Sequence, residues 1–507
     1  MLTKLHARIT AFLKLTGLID FVWVRASCRL GFGLLRSTVH GVSSIRDSLK
    51  GLGRWARQKW CSTETRARSF RVRLGHTIQA WAQTGFLLRA LLLKRRRGAV
   101  PLLKPHVVML VVSDVRVDPR VQKSAMAAVA RGLQVTVVAP SHRIVMPPPL
   151  PPDWGPGIEF VFPDIRCGAL LNHHYPWLVD RDLLAYARRF RNVVFHAHDL
   201  NTALMAIQLA RETGSACIAD FHEWFSENVE WSTRSNAYVR NRLLKRLVMR
   251  RAELICLRYA DAVVTVCESI ARELQRMHFR EDRVHIVRNI PDMVPTANSA
   301  FLGTLRAECG VTEEQFLLLW QGGIGPSRLL EPVIQSLQFA PGVVLAIRGP
   351  GLELGTTFRA HYEEVAERAN VRDRLRLLPP VPSRDVVAAA DGADAGVWTL
   401  PNLSKNFYYA LPNKIFEYLA AGLPVIVANF PEAAGLVARY DVGLSFDPYD
   451  PASIAATINA LKDDRSARNR MSANTAGALA DMDAGREWSR VADLYQTLIE
   501  RPRPLPA

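Results

Sequence analysis

Residues 316–349, FLLLWQGGIGPSRLLEPVIQSLQFAPGVVLAIRG, contain one complete winding unit. The run FLLLWQ is apolar up to its last residue, the pattern of a strand buried on both faces of a parallel sheet. Gly322, Gly323 and Gly325 then turn the chain into a helix, and a second apolar run, VVLAIRG, ends in the turn Gly349, Pro350, Gly351. Strand, glycine turn, helix and strand make a βαβ unit, and the same grammar repeats in both directions. Upstream lie VVMLVVS (107–113), a helical stretch over 119–131 stopped by Gly132, VTVVA (135–139), VVFHAH (193–198), ACIADFH (216–222) and AVVTV (262–266). The Pro-rich run over 146–156 reads as a loop. After a loop over 289–298, the unit quoted is followed by LRLLP (375–379), AGVWT (395–399) and PVIVA (424–428). The expected fold is α/β: two Rossmann-like, doubly wound domains facing a cleft, with ligands beyond the carboxyl ends of the strands.

Charge sets the first hundred residues apart. The 507-residue chain carries +18, yet residues 1–100 hold 20 Lys and Arg against three acids, leaving about +1 for the rest. Apolar stretches there are interrupted by Lys14, Asp20 and Arg89, so neither reaches the roughly 20 apolar residues of a spanning helix. Interleaved Trp, Phe and Arg, ending in Lys94 to Arg97, suit an amphipathic layer on an anionic membrane surface better than nucleic acid. A solvated tail remains the bland alternative. The expected division is a basic, helical extension over 1–104, domains over 105–295 and 296–482, and a final helix over 483–507 crossing back to the first domain. Seven scattered cysteines without metal or redox spacing indicate reduced thiols in a cytosolic setting.

Candidate chemistry lies after the strands. Arg328 ends the first glycine turn, where a planar guanidinium can grip phosphate oxygens. In LPNKIFEYLAAGLPV (411–425), Pro412 suits the first turn of a helix whose amides form an anion site, with Asn413 and Lys414 projecting toward it. Glu417 follows three residues after Lys414 on the same face and can accept two hydroxyl hydrogen bonds. A plain surface pair is the bland alternative, worth only about 0.3–0.5 kcal/mol. His196 and His198 have the spacing of a metal pair, but no third ligand is evident.

These residues resemble glycosyltransferase family 4, the retaining GT-B enzymes. The resemblance is carried by SDVRVDPRVQKSA (113–125), HAHDLNT (196–202), DFHEWFSE (220–227), ADAVVTVCESIA (260–271), GGIGPSRLLE (322–331), ADAGVWT (393–399) and LPNKIFEYLAAGLPV. It implies transfer of a sugar from a UDP- or GDP-linked nucleotide sugar to a lipid-linked or saccharide acceptor, with no required metal. Arg328 and Lys414 would bind the donor diphosphate, Glu417 the ribose or sugar, and His198 would lie near the transferred sugar. Gly322, Gly323, Gly325, Gly349, Gly351 and Asn413 fall on the donor side. Asp118, Arg120, His222 and Glu223 fall on the acceptor side. Three departures stand out: Tyr409 where a second Glu is common, Leu329 where Gly is usual, and residues 115–119 in place of a glycine-rich first loop. With the basic extension, the expected location is the inner face of the cell membrane, peripherally attached. The competing readings are another GT-B enzyme, such as a nucleotide-sugar epimerase, and a degenerate membrane-bound scaffold.

Overall fold

The computed structural model describes residues 96–99, 104–111, 115, 118–139, 154–162, 181–232, 237–240, 243–278, 281–290, 298–501 and 504–505. The remainder of the basic extension, and with it the amphipathic layer read from residues 1–100, lies outside the described residues. Its one described piece, Arg96–Ala99, is a strand rather than a helix and pairs antiparallel with Pro504–Leu505. Among the described residues no helix is long and apolar enough to cross a membrane.

The first sheet has seven parallel strands: β1 His106–Leu110, β2 Gln134–Val138, β3 Ile158–Val161, β4 Val194–His198, β5 Ala216–Phe221, β6 Ala262–Thr265 and β7 Val284–Ile286. Their order is β3-β2-β1-β4-β5-β6-β7. The second has six: β8 Phe316–Gln321, β9 Val343–Arg348, β10 Leu375–Leu378, β11 Ala395–Trp398, β12 Val425–Ala428 and β13 Gly443–Phe446, ordered β10-β9-β8-β11-β12-β13. Both sheets reverse their winding between the first and fourth strands, so each has its crevice beyond the carboxyl ends of that pair. In the first sheet those ends run into Val111 and, past His198 at the end of β4, into Asp199; in the second, into the glycine turn 322–328 and the segment leading to Lys414.

Helices fill both faces because the central strands are buried on both sides. On the first sheet these are α1 Pro119–Ala130, α2 Leu200–Thr213, α3 Leu243–Tyr259 and α4 Glu268–His278. Around the second sheet lie α5 Glu331–Ser336, α6 Thr357–Arg368, α7 Asn413–Ala420, α8 Pro431–Tyr440, α9 Pro451–Asp463 and α10 Arg465–Asp481. The last helix, α11 Ala484–Glu500, packs on α1, and its Trp488, Val491, Tyr495 and Leu498 join the core beneath β1 and β2. Three edge strands (β3, β7 and β13) and the hairpin Val229–Ser232 with Ala237–Arg240 have no counterpart in the pattern read from sequence.

Candidate functional site

Helix α7 is built to hold a polar face still. Ile415, Phe416, Tyr418 and Leu419 are buried, leaving Asn413, Lys414 and Glu417 half-buried on the other side. Pro412 serves as the N-cap residue rather than within the first turn, with φ −81° and ψ 154°. Gly422, at φ 73°, closes the helix in the left-handed conformation that suits glycine. The Tyr418 hydroxyl accepts the amide of Gln321 at 2.8 Å, pinning the helix to the end of β8. Gly396 makes room, because a Cβ there would lie 2.3 Å from the Tyr418 ring.

This anchoring carries Lys414 over the glycine turn. Its Nζ sits 4.0 Å from the centre of the Trp320 ring and 2.7 Å from where a Cβ on Gly322 would be. Gly322 has φ 139°, and its carbonyl oxygen would be 2.1 Å from a Cβ on Gly349, so both positions require glycine. Gly323 accepts from Arg328 Nε at 2.8 Å, and the Gly325 carbonyl accepts the Arg328 amide at 3.2 Å. Gly351, at φ 89°, lies against Ile324 of the same turn. Leu329, in place of the customary glycine, still takes the left-handed backbone (φ 51°) at a cost of about 1–2 kcal/mol.

Among the described residues, no carboxylate forms an ion pair with Arg328 or Lys414. Burial, reinforced by the neighbouring Arg328 guanidinium and opposed by Glu417, pulls the Lys414 ammonium down to about 7. Burial raises the Glu417 carboxyl, while Lys414 pulls it down. Two cations and a carboxyl therefore share a partly desolvated corner, and its positive charge is incompletely balanced.

The other crevice is a buried network. Arg120 is only 2% exposed. Its Nε and Nη2 donate to the two oxygens of Asp220 at 2.9 and 2.7 Å, and Nη1 donates to the Val287 carbonyl. This corrects the acceptor-side expectation for Arg120: each guanidinium nitrogen is engaged inside the core, so Arg120 holds Asp220. Asp118 caps α1, accepting the Val121 amide at 3.3 Å. The fold also brings Asp220 to His196 and His198, the third group that the sequence left unidentified, with one atom from each within 4.8 Å of the others. Because both Asp220 oxygens are held by Arg120, the cluster is a neutralised ion pair flanked by imidazoles. Burial lowers the pKa of His196 and lowers that of His198 further, keeping both rings neutral. Tyr495 of α11 reaches His196 Nδ1 at 2.6 Å. His222 Nε2 lies 3.1 Å from His198 Nδ1, and Glu223 is exposed and bonded to the Asn228 amide.

Sequence reasoning missed the strut that joins the two halves. Trp224, two residues past His222, donates its amide to Asn406 Oδ1 at 2.8 Å and stacks on Tyr409 with ring centres 6.3 Å apart. Lys405 Nζ and the Tyr409 hydroxyl both reach Glu273 of α4 at 3.2 Å. Glu432, in the first turn of α8, accepts the Ser269 amide at the start of α4 at 2.6 Å. Tyr409 therefore faces the first domain, away from the role of the glutamate customary at its position. The strut sets the His222 loop beside the segment that runs into Lys414, so the two crevices face one cleft. The only sequence signal was the break in pattern at Tyr409.

Two Rossmann-like domains with this cleft define the GT-B class of glycosyltransferases. Family models agree: "Glycosyltransferase Family 4" matches residues 121–293 and "Glycosyl transferases group 1" matches 312–477, together about two thirds of the chain. The chain belongs to glycosyltransferase family 4, whose members transfer glycosyl groups. Sucrose-phosphate synthase from Thermosynechococcus elongatus superposes with TM-score 0.62 at 15% identity, covering 78% of this chain and 98% of its own. Anabaena HepE, solved in complex with UDP-glucose, gives 0.57 at 15% identity, covering 77% and 99%. These likenesses are of fold. In sequence, the D-inositol 3-phosphate glycosyltransferase of Xylanimonas cellulosilytica is 25% identical over 248 residues, 48% of this chain and 58% of its own. That of Corynebacterium efficiens is 28% identical over 217 residues, 41% and 49%. The chain thus spans about half the length of the curated relatives it matches.

Arg120→Met should strand a buried carboxylate and lower stability by about 3–5 kcal/mol in chemical denaturation. Asp118→Ala, which removes the α1 cap, should cost about 1 kcal/mol. Equal, small losses would mean that Arg120 is not structural.

Proposed function

We propose that the protein moves a sugar, with retention of anomeric configuration and without a metal, from a nucleotide-sugar donor to an acceptor. The observation that carries this is the cation pair Arg328 and Lys414 over a turn whose first glycine, Gly322, has no room for a side chain, with no ion-pair carboxylate among the described residues. A diphosphate supplies the missing charge. Arg328 offers donors in a planar fork, Lys414 a point charge on the far side of Gly322, and the α7 amides face the same corner. Glu417, one turn along, accepts hydroxyl hydrogen bonds from ribose or sugar.

The chemistry follows from charge. As the bond between the sugar's anomeric carbon and the phosphate oxygen breaks, negative charge grows on the leaving diphosphate, and fixed cations there favour the transition state over the ground state. The acceptor hydroxyl attacks from the same face, its oxygen bonding to the anomeric carbon as its proton passes to the departing phosphate oxygen. The acceptor we propose is lipid-linked or a polysaccharide at the cytoplasmic membrane face. The +17 segment over residues 1–100 supports an anionic surface as its partner.

A panel of nucleotide sugars, assayed with membrane lipid extract for hydrolysis and transfer, tests the reading. One donor should turn over, and Arg328→Ala or Glu417→Gln should each cut kcat/KM by about 10²-fold or more. Near wild-type turnover in either variant would defeat the site assignment, and free epimerised sugar without transfer would favour the epimerase.

Lys414 gives an independent test. An ammonium held at about 7 is mostly deprotonated at pH 8 and mostly protonated at pH 6. A bound diphosphate raises its pKa, so binding of a nucleotide sugar, whose diphosphate has no proton to lose near neutral pH, should take up about one proton at pH 8 and almost none at pH 6. Calorimetry in buffers of different ionisation enthalpy reads this directly, and uptake independent of pH would contradict it. The unliganded fold has the matching dependence. Between about 7 and the unfolded value of 10.5 the unfolded chain binds the extra proton, so this group's contribution to stability rises with pH across that window.

A further inference from the structure

Asp199, the residue after β4, has φ 69° and ψ 161°. That region is essentially reserved for glycine, and a residue with a side chain stays there only where its surroundings over-determine it. The contacts here do so. The Asp199 amide donates to the Asp220 carbonyl at 2.8 Å. Asp199 occupies the N-cap of α2, yet its side chain makes no capping bond. Its carboxylate turns instead to His222, accepting the backbone amide at 3.3 Å and lying 3.6 Å from the ring Nδ1.

The contacts continue to His198. His222 Nε2 faces His198 Nδ1 at 3.1 Å, while the buried Nε2 of His198 has no hydrogen-bond partner. Asp220 Oδ2 lies 3.7 and 3.8 Å from the two facing nitrogens, but its oxygens already accept from Arg120. In a neutral imidazole one nitrogen carries the proton and the other the lone pair, so fixing one ring fixes the next.

We propose that Asp199 is a positioning residue: its carboxylate, 3.6 Å from the ring, favours the His222 proton on Nδ1, so His222 Nε2 accepts the Nδ1 proton of His198 and leaves the lone pair on the buried His198 Nε2, where a substrate hydroxyl meets it once the residues covering it shift. The glycine-like backbone is the geometric condition for this. Glycine would sit there without strain but would bring no carboxylate. The hydroxyl belongs to the sugar or acceptor of the transfer reaction proposed above, and this inference rests on that reading for its substrate. The arrangement of protons does not.

The test uses the full-length protein with Asp199→Gly and Asp199→Asn. Asp199→Gly should melt within about 4 °C of wild type, because the strain relieved offsets the freer unfolded chain and the lost His222 amide contact. Its kcat should fall at least about tenfold with donor KM within about twofold, the loss of one charge-assisted contact acting through His198. Asp199→Asn, which keeps an acceptor oxygen without the charge, should fall between. Nitrogen-15 NMR of the imidazoles should show His198 protonated on Nδ1 in the wild type and a mixture of tautomers in Asp199→Gly. A wild-type His198 protonated on Nε2, or an Asp199→Gly enzyme with kcat within twofold of wild type, would overturn the proposal. A wild type inactive on every donor would sink the transfer reading alone, and the tautomer measurement would still decide this one.

Discussion

The burial of Lys414 beside Arg328 is the constraint around which the glycine turn and helix α7 are arranged. Burial first, and the neighbouring Arg328 guanidinium second, disfavour the charged form of Lys414 and pull its pKa down. Several features nevertheless keep the pair together: the Tyr418 hydroxyl on the end of β8, the clearance at Gly396, the absent Cβ atoms at Gly322 and Gly349, and the Trp320 face beneath the ammonium. The left-handed Leu329 belongs to the same set, since the turn keeps its geometry at a conformational cost. A site that holds its charges out of balance is preorganised for an anion, and preorganised charge is worth most where water is excluded.

The first domain supplies a different kind of rigidity. Its crevice is lined by neutral imidazoles resting on one buried ion pair, Arg120 with Asp220, and the last helix of the chain returns to place Tyr495 against His196. The contacts around Trp224, Tyr409 and Glu273 fasten this crevice to the segment preceding Lys414. Movement of one domain against the other must break or carry this strut. The residue that departs from the family pattern at Tyr409 has become part of the fastening between domains.

Much of this was legible in the sequence, for physical reasons that differ by element. Strands buried on both faces announce themselves as unbroken apolar runs, so β1, β4, β5, β8, β9 and β12 fall within a few residues of their expected bounds. Edge strands such as β3, with Ile158–Val161 only partly buried, and β13, with exposed Ser445, have no such run and left no mark. The placement of Gly322, Gly323, Arg328, Lys414 and Glu417 at one corner of the second sheet could be anticipated because each lies within one local turn or helix. Arg120 could not be read correctly, because its partner Asp220 is a hundred residues away and nothing local reveals a bidentate pair. Asp199 was hidden for a similar reason: its significance lies in a backbone angle and in His222, neither of which a one-dimensional pattern encodes.

Under the proposed function, Arg328 and Lys414 form one anion seat that a diphosphate completes. A crystal structure of the full-length protein soaked with inorganic pyrophosphate tests it most directly. Phosphate oxygens within hydrogen-bond distance of both the Arg328 guanidinium and Lys414 Nζ, with Glu417 turned to neither, are the expected result. An empty seat at saturating pyrophosphate, or Lys414 paired to Glu417 with the anion elsewhere, would contradict it.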